Sequence, residues 1–465
     1  MLAEPEEKLP RGIIIESRAN ISRREPELRS RSLIEEWART SWIDSANDAV
    51  CGFPLQSLPY CVYAAKDGHA RIGVGIGAFV LDLQHCARGG LFEGIPSEVQ
   101  AASTERSLNA LMTCDAAAHA SLRRRLMDLL DAGVDGATRE AVGLALTPIV
   151  EATLLKPVEA ANYTDFYASI HHATRVGRLF RPEQPLLPNY KFVPIGYHGR
   201  ASSLVVGGTP VRRPHGQTKP VDGGVPSFCP TKFLDYEVEV GVYIAGGNSL
   251  GTPVGIDRAG ERIFGLSLVN DWSARDVQSW EYQPLGPFLG KSFATSVSPW
   301  VAPMAALEPF RVPVAERAAG DPAPLPYLFD EADQARGAIN LTLEALLITT
   351  AMRAAGDGPS RLSSANLRDL YWTPAQMIAH HTSNGCNLLP GDLLATGTVS
   401  GAEESSAGCL LELTSGGKLP IQLPNGETRT ALEDGDEMIL RGYCRREGYP
   451  RVSVGECRGL ILPAV

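Results

Sequence analysis

The chain has 465 residues, 44% of them hydrophobic and 21% charged, and 53 acidic against 43 basic side chains give a formal net charge of −10. A chain of this length and hydrophobic content can bury the cores of two or three domains, which excludes a disordered protein. The sequence lacks the basic excess that phosphate backbones and anionic membranes attract, so we expect no nucleic acid and no membrane as partner.

The cysteines and the missing membrane signals predict the compartment. Nine cysteines are scattered singly from Cys51 to Cys457 without a CxxC pair. This pattern argues against a disulfide framework and a thiolate zinc site, and it favours a reducing compartment. No run approaches the ~20 apolar residues of a membrane helix, and the opening MLAEPEEKLP lacks a charged-then-apolar signal pattern. We therefore expect a cytoplasmic protein.

Patterning divides the chain into three parts, and we expect a mainly β fold with some helix, of the α+β class. Residues 1–43 are crowded with Arg and Glu, which predicts a solvated arm. Residues 44–155 show short alternating segments from about Leu58, which indicate a β-hairpin in a small barrel or sheet, and then a helical stretch over 107–133. Residues 156–465 are rich in Gly, Pro and short β-type runs, which predicts a large β-rich domain.

Two helices are predicted in this third part. One covers 165–180 (DFYASIHHATRVGRLF), and the other covers 373–384 (TPAQMIAHHTSN). In the second, Thr373 suits the N-cap and Pro374 the first helical position. Segment 315–337 indicates a surface excursion.

A strand pattern places glutamates side by side. In LDYEVEVGVYI, alternation directs Asp235, Glu237 and Glu239 to one face of the strand. Unpaired like charges about 7 Å apart repel each other, which costs free energy in a cleft unless a cation or a proton lies between them. An ordinary solvent-facing strand surface explains the pattern equally well, so the motif alone leaves both interpretations open.

A third carboxylate follows a second strand. The apolar run from Phe264 to Val269 is followed by Asp271, at a strand end where sites are usually assembled. If a helical turn comes next, Arg275 and Gln278 project from roughly one face and supply a cation and an amide beside a metal. The alternative is a weak surface ion pair between Asp271 and Arg275.

Lys291 follows Gly290 in GPFLGKSF. Only three residues separate Gly286 from Gly290, whereas a phosphate-binding loop needs four, so a nucleotide-binding interpretation is rejected. Lys291 is a candidate for contacting a carbonyl or carboxylate oxygen, and an ordinary surface lysine is the simpler alternative.

A fourth carboxylate, Asp165, precedes two adjacent histidines in a stretch compatible with one helix. A histidine suits general base chemistry near neutrality. Only one of His171 and His172 can point inward, because neighbours on a helix diverge by about 100°, and a structural histidine is the better interpretation of His171. Oxygen ligands alone suit Mg²⁺ or Ca²⁺, and four acidic ligands make Ca²⁺ a serious candidate.

Matched blocks along residues 46–465 resemble the fumarylacetoacetate hydrolase family. The blocks, in chain order, are LPYCVYA, RIGVGIG, YTDFY, GYHGRASS, GTPVRRP, NDWSARD, EYQPLGPFLGKSF, HHTSNGCNL, PGDLLATGTVSG and GDEMILRGYC. The resemblance implies a small SH3-like N-terminal barrel, a large β-rich catalytic domain and a homodimer. The sequence departs from the family pattern in the 1–43 arm and in details of 315–337.

The resemblance also implies a role for individual side chains. The implied calcium ligands are Asp165, Glu237, Glu239 and Asp271, with Lys291 and Thr295 beside Asp271 at a second, magnesium-type site. The implied catalytic groups are His172 as general base, Glu412 as the group that orients it, and Arg275, Gln278 and Lys291 as donors to an oxyanion. The implied substrate pocket is lined by Tyr167, Arg181, Tyr197, Gln278, Tyr282 and Thr398.

The implied reaction is hydrolysis of a carbon–carbon bond in a β-diketone. Water converts 4-fumarylacetoacetate to fumarate and acetoacetate at the end of tyrosine and phenylalanine catabolism, and a divalent cation stabilises the leaving enolate. Arg181 and the tyrosines would hold the carboxylates of this small diacid substrate. Two alternatives stay open: a related enzyme that hydrolyses another acylpyruvate or decarboxylates a keto acid, and a catalytically silent protein that keeps the metal for stability.

Overall fold

Five antiparallel strands form a sheet early in the chain. The computed structural model describes residues 37–220 and 223–465, so the arm predicted over 1–43 lies outside the described residues as far as residue 36. The strands are β1 Tyr60–Ala64, β2 Ala70–Ile76, β3 Phe79–Asp82, β4 Leu146–Pro148 and β5 Thr153–Leu155. They lie in the order β4-β3-β2-β1-β5. The hairpin predicted from Leu58 is confirmed, because Tyr60 of β1 pairs with Val74 of β2.

Five α-helices lie in the chain between β3 and β4. They are α1 Leu83–Arg88, α2 Ser97–Ala102, α3 Asn109–Thr113, α4 Ala116–Leu130 and α5 Gly136–Gly143. The helix predicted over 107–133 is divided, because Asp115 has extended backbone and its side chain accepts a hydrogen bond from the Ala118 N–H as the N-cap of α4. Leu122 and Leu126 of α4 are buried in the core that the sheet also lines.

The remaining strands of the described residues build an eight-stranded sheet, a second five-stranded sheet and four two-stranded pairs. In chain order they are β6 Tyr163–Phe166, β7 Gly196–His198, β8 Leu204–Val206, β9 Val211–Arg212, β10 His215–Thr218, β11 Ser227–Pro230, β12 Leu234–Asp235, β13 Val238–Ile244, β14 Ile263–Asp271, β15 Ser273–Ala274, β16 Thr295–Val297, β17 Ala302–Pro303, β18 Arg311–Val312, β19 Ala338–Ile339, β20 Thr342–Ile348, β21 Ser360–Asn366, β22 Leu393–Ala395, β23 Ile421–Gln422, β24 Thr428–Arg429, β25 Glu437–Cys444 and β26 Val452–Leu462. An eight-stranded sheet has the order β7-β6-β22-β13-β14-β16-β8, with β17 paired to β14. A five-stranded sheet has the order β21-β20-β25-β26-β9. The four pairs are β10-β11, β12-β15, β18-β19 and β23-β24. The α+β class is therefore confirmed.

Pairing between distant segments corrects the helix predicted over 165–180. Residues Tyr163–Phe166 form β6, which runs parallel to β22 with Leu393 opposite Tyr163. The helix begins only at Ile170, where the Ser169 side chain accepts a hydrogen bond from the backbone N–H of the third helical residue. A strand pairing across more than 200 residues is invisible to helical periodicity, which explains the error.

Short helices surround the sheets in this part of the chain. They are α6 Ile170–Phe180, α7 Ile256–Ala259, α8 Arg275–Glu281, α9 Met304–Leu307, α10 Glu331–Arg336, α11 Thr350–Ala355, α12 Pro374–Thr382 and α13 Leu410–Leu413. The second predicted helix is confirmed as α12, with a capping box between Thr373 and Gln376 and with Pro374 at its first position. The predicted excursion over 315–337 is largely exposed, although it contains α10 and the buried side chain of Asp333.

One continuous core joins the early sheet to the eight-stranded sheet. The Tyr60 N–H donates to the Val301 carbonyl oxygen and the Val301 N–H donates back, at 2.9 and 2.8 Å. Val74 of the early sheet belongs to the same buried cluster as Val269 and Leu393 of the larger sheet. No helix within the described ranges combines the length and the hydropathy that crossing a membrane requires.

Candidate active site

Four buried carboxylates converge on neighbouring strands. Asp165 lies on β6, Glu239 on β13 and Asp271 at the end of β14, while Glu237 immediately precedes β13. One oxygen of each carboxylate lies within 4.8 Å of the others, and none of the four residues is more than 5% exposed. The predicted convergence is confirmed. The alternative of a solvent-facing strand surface is wrong.

Glu239 is the least compensated of these carboxylates. Both of its oxygens are buried, and neither has a hydrogen-bond partner among the described residues. Burial, followed by the charges of Asp165 and Asp271, raises the pKa of Glu239 well above its usual range. A buried charge without partners is strongly unfavourable. The donor set therefore fits a divalent cation that binds oxygen.

Lys291 lies inside this cluster of carboxylates. Its ammonium donates to Glu237 Oε2 and, at 2.6 Å, to Asp271 Oδ2. Burial favours the neutral amine, but the charges of Asp271 and Glu237 outweigh burial and raise the pKa of Lys291 above its usual range. Thr295 also donates to Asp271, with 2.8 Å between Thr295 Oγ1 and Asp271 Oδ1. The prediction of a carboxylate contact is confirmed, and the surface-lysine alternative is wrong.

Arg275 binds two buried carboxylates, and one of them, Glu237, belongs to the cluster. Its Nε donates to Asp235 Oδ2 at 2.9 Å and its Nη1 donates to Glu237 Oε1 at 2.7 Å. The alternative of a surface ion pair with Asp271 is wrong, because Arg275 is buried and paired elsewhere. Arg275 begins α8, and its Nη1 donates to Gln278 Oε1 at 3.2 Å, so the prediction that these two side chains share a face is confirmed.

The strand alternation held only in part. The regular strand pairing is interrupted between β12 and β13. At this break the Glu237 N–H donates a hydrogen bond to Asn270 Oδ1 at 3.1 Å. Glu237 and Glu239 reach the same cluster, as expected. Asp235 instead accepts hydrogen bonds from the backbone N–H groups of Leu410 and Leu411. Its carboxylate therefore anchors Arg275 and the start of α13.

The positive neighbours also set the ionisation of Glu237. Burial alone would raise the pKa of Glu237, but the charges of Lys291, Arg275 and His172, in that order, hold this pKa below its usual range. Glu237 is therefore an anion in a buried place. His172 lies on α6, the helix that follows β6 and its Asp165 in the chain.

His172 and Glu412 form a buried pair. The imidazole Nδ1 lies 2.6 Å from Glu412 Oε1, and His172 is 3% exposed. The Glu412 carboxylate also accepts hydrogen bonds from the Ser400 hydroxyl at 2.7 Å and from Arg175 Nη1 at 3.0 Å. Burial would raise the pKa of Glu412, but His172 and these two donors lower it to about 2. An ionised Glu412 therefore holds the proton on Nδ1 and leaves Nε2 for chemistry.

Three of the predicted pocket residues lie next to these groups. Tyr197 donates its hydroxyl to Asp271 Oδ2 at 2.8 Å. The ring of Tyr167 meets the His172 imidazole edge to face, with 5.3 Å between centroids. Thr398 is buried, and its hydroxyl has no hydrogen-bond partner among the described residues. A buried hydroxyl of this kind is suited to a ligand oxygen.

Two other predicted pocket residues are exposed. Arg181 lies at the end of α6, where its Nη2 donates to the Pro185 carbonyl oxygen at 3.2 Å. Tyr282 is 37% exposed, and its hydroxyl accepts a hydrogen bond from Gln283. Neither side chain contacts the four carboxylates or His172 in the described structure, so the geometry does not bring them into the buried cluster.

Sequence reasoning gave no role to three side chains that support this site: Asp235, Arg175 and Ser400. Asp235 had a signal, because it shares the strand pattern with the two glutamates. Arg175 also had one, because it lies three residues after His172 on a helix. Ser400 had none, since its contact with Glu412 arises only from tertiary packing.

The fold and the site together define an enzyme, because the α+β fold holds a buried acidic cluster and a histidine–carboxylate pair. Comparisons with known proteins identify its family. The family model described as fumarylacetoacetate (FAA) hydrolase C-terminal matches residues 161–454, and that described as fumarylacetoacetase N-terminal matches residues 56–157. The chain belongs to the fumarylacetoacetate hydrolase family.

Individual relatives carry the name fumarylacetoacetase. The protein of Bos taurus is 46% identical over 434 residues, which cover 91% of this chain and 99% of that relative. The protein of Arabidopsis thaliana is 42% identical over 429 residues, covering 91% and 98%. Among solved structures, a fumarylacetoacetate hydrolase from Exiguobacterium antarcticum is 17% identical with a TM-score of 0.48, and the match covers 87% of this chain and 99% of that one. The family resemblance expected from the sequence blocks is therefore confirmed.

Proposed function

We propose that this chain is a metal-dependent hydrolase that cleaves 4-fumarylacetoacetate to fumarate and acetoacetate, the last step of tyrosine and phenylalanine catabolism. Relatives named fumarylacetoacetase, 42–46% identical over most of the chain, support this activity. The observation that carries the proposal is the buried His172–Glu412 pair beside four converging carboxylates, because it combines a general base with a cation site.

The four carboxylates would hold the cation. Asp165, Glu237, Glu239 and Asp271 offer only oxygen, which suits Ca²⁺ or Mg²⁺, and Ca²⁺ accepts the larger number of ligands. When bound, the cation would supply positive charge to a diketone and to the enolate that leaves it. A second, magnesium-type site beside Lys291 and Thr295 stays a prediction. Lys291 could bind a metal there only as the neutral amine, because a protonated lysine has no lone pair.

His172 would be the general base. The proton stays on Nδ1, which donates a hydrogen bond to Glu412. Nε2 then takes a proton from water, and the resulting hydroxide adds to a ketone carbon. Collapse of the tetrahedral oxyanion restores a carbonyl group and breaks the carbon–carbon bond. The leaving enolate then takes the proton back from Nε2, so the base returns to its starting state.

Arg275, Gln278 and Lys291 would face the oxyanion. Both cations are already fixed by buried carboxylates, Arg275 by Asp235 and Lys291 by Asp271. Donors held in place before the reaction stabilise developing charge without a cost of reorganisation. The amide of Gln278 lies on the same face of α8 as Arg275 and adds a neutral donor.

Tyrosines and a threonine would shape the substrate pocket. Tyr167, Tyr197 and Thr398 adjoin the buried groups and would contact the diketone. Arg181 and Tyr282 lie at exposed positions, so a role for them in holding the outer carboxylate of the diacid requires them to act at the entrance of the site.

Oligomeric state and compartment are further parts of this proposal. We propose a homodimer, as the family resemblance implies, and a mass of twice 49.9 kDa by light scattering would support it. A cytoplasmic location is supported by the nine cysteines, all of which are free thiols.

The direct test is an assay of the purified chain with 4-fumarylacetoacetate and, separately, with fumarylpyruvate, measuring the products by chromatography. A preference for fumarylpyruvate would overturn the substrate assignment and favour an acylpyruvate hydrolase. No turnover of either by a folded, metal-loaded chain would favour the silent metal-binding alternative.

A matched pair of variants tests the base. His172→Ala should abolish turnover while metal binding and folding stay nearly intact. His171→Ala, at the adjacent and only half-buried position, should keep turnover. Unchanged turnover in His172→Ala would refute the assigned base.

A further inference from the structure

A buried thiol lies against the histidine–glutamate pair and has no part in the proposed mechanism. Cys409 is 0% exposed, and its Sγ lies 3.4 Å from Glu412 Oε1, the same oxygen that receives His172 Nδ1. One ligand atom from each of His172, Cys409 and Glu412 lies within 4.8 Å of the other two. Nitrogen, sulfur and oxygen thus converge at one buried point.

This donor set differs in kind from the four carboxylates nearby. Hard cations prefer oxygen alone, whereas zinc favours imidazole and thiolate and also accepts a carboxylate. A neutral imidazole, a thiolate and a carboxylate together balance the two positive charges of zinc, which matters where water is excluded. This group could not be predicted from the sequence, because His172 is 240 residues from Glu412 and no CxxC pair is present.

We propose that His172, Cys409 and Glu412 form an inhibitory binding site for Zn²⁺, separate from the carboxylate site for the hard cation. That binding here stops turnover rests on the proposed function, because it requires His172 to be the base. That zinc binds here at all does not depend on it.

The chemistry of occupation explains the inhibition. Zinc bound to Nδ1 displaces the proton that Glu412 holds there, so the neutral imidazole must carry its proton on Nε2 instead. Nε2 then has no lone pair with which to accept a proton from water. The thiol of Cys409 loses its proton to solvent, so binding releases one proton when the imidazole is neutral beforehand.

The present geometry is close to what such a site needs. Tetrahedral zinc has Zn–N and Zn–O distances of about 2.0–2.1 Å and a Zn–S distance of about 2.3 Å. These bonds require ligand atoms roughly 3.3–3.7 Å apart, so the 3.4 Å between Sγ and Oε1 already fits. The 2.6 Å hydrogen bond between Nδ1 and Oε1 must open by less than about 1 Å. We therefore expect zinc to inhibit slowly, since Arg175 and Ser400 must first give up part of their hydrogen bonding to the Glu412 carboxylate.

A spectroscopic test measures binding without any assay of turnover. The calcium-loaded full chain is titrated with Co²⁺, which gives a thiolate-to-metal charge-transfer band only when sulfur is a ligand. Cys409→Ser should remove this band, whereas Cys386→Ser, which removes a partly exposed thiol elsewhere, should keep it. A band that survives in Cys409→Ser would overturn the proposal, as would no band in the parent chain.

A second experiment measures the consequence for turnover, with each variant normalised to its own zinc-free rate. After preincubation with micromolar Zn²⁺ in the presence of saturating Ca²⁺, the parent chain should lose most of its activity. The loss should be greater at higher pH, because zinc binding releases a proton. Cys409→Ser should need at least about tenfold more zinc for the same loss. Equal sensitivity of the two chains would place the inhibition at the carboxylates and overturn the proposal. A cobalt band without turnover would contradict only the proposed function.

Discussion

The ammonium of Lys291 lies 2.6 Å from Asp271 Oδ2, so a positive side chain already occupies part of the carboxylate cluster. Arg275 brings a second positive charge, but Asp235 shares it. Asp165 and Glu239 have no such counter-charge, and burial together with the neighbouring carboxylates raises the pKa of both well above the usual range. A divalent cation would favour the ionised forms of both. Glu237, by contrast, is already paired with two cations, so we expect Glu237→Gln and Glu239→Gln to change the stability of the metal-free chain differently.

Glu239→Gln should leave the metal-free chain as stable as before or more stable. Without a metal, burial and the neighbouring carboxylates favour the neutral form of Glu239, which has no hydrogen-bond partner among the described residues. A glutamine amide has nearly the same shape as this neutral group and cannot ionise, so its burial costs no more. The same substitution should weaken Ca²⁺ binding. The parent chain should gain about 2.7 kcal/mol at a Ca²⁺ concentration one hundred times Kd, and the variant should lose most of this gain. Unfolding followed by circular dichroism, with chelator and with Ca²⁺, measures both effects.

Glu237→Gln is the matched control for that experiment. It takes away the partner of two buried cations, Lys291 and Arg275, so we expect the metal-free chain to lose about 3–5 kcal/mol. If the two glutamine variants destabilised the metal-free chain equally, the neutral form assigned to Glu239 in the metal-free chain would be wrong.

Glu412 should give the folded state a dependence on acid. Its pKa of about 2 in the folded chain is lower than the ordinary value of about 4.3 in an unfolded chain. A lowered pKa means that the contribution to stability is fully present above pH about 4.3 and is lost as the pH falls towards about 2. Glu412→Gln should therefore flatten the loss of stability across this range, as measured by urea unfolding. Glu404→Gln, at an exposed position nearby, should leave the acid dependence as it is.

Much of the site could be predicted from the sequence because its residues lie on regular local patterns. The alternating pattern of one strand predicted Glu237 and Glu239 as site residues, and the end of another strand predicted Asp271. Asp165 was identified correctly but placed on a helix, because the neighbour that makes it a strand residue is β22, far along the chain. Local periodicity carries no information about such a partner.

The contacts that were not predicted have the same origin. Arg275 was predicted beside the metal site, but its second partner, Asp235, lies across the pairing of β12 with β15 and was not predicted. The Cys409 thiol beside His172 follows from tertiary packing alone.

Tyr190 should prove necessary for the position of Tyr167. The buried Tyr190 hydroxyl donates to the Tyr167 carbonyl oxygen at 2.8 Å, and the two rings meet edge to face at 5.9 Å. Tyr190→Phe removes the donor but keeps the ring, so we expect a stability loss of about 1 kcal/mol and a lower kcat with little change in KM. Tyr327→Phe, which removes a partly exposed hydroxyl bonded to His380, is the control and should keep kcat. Equal kcat values in all three chains would contradict this role of Tyr190.

Loss of the Trp300 side chain should weaken the junction between the early sheet and the five-stranded sheet that contains β26. Its ring lies 4.6 Å from that of Phe53, and a methyl group built on Gly75 of β2 or Gly455 of β26 would lie 2.9 or 2.4 Å from the indole. The two glycines therefore leave the space that the indole fills between the early sheet and the five-stranded sheet.

Truncation of this side chain would leave a cavity lined by both sheets. We expect Trp300→Ala to lower the free energy of unfolding by about 3–5 kcal/mol. Trp280→Ala removes an indole that is 39% exposed and should cost much less. Chemical denaturation of the metal-loaded chains, followed by circular dichroism so that loss of an indole does not alter the signal, compares the two. Similar losses in both variants would mean that the early sheet is held by its backbone pairing with Val301 rather than by the indole.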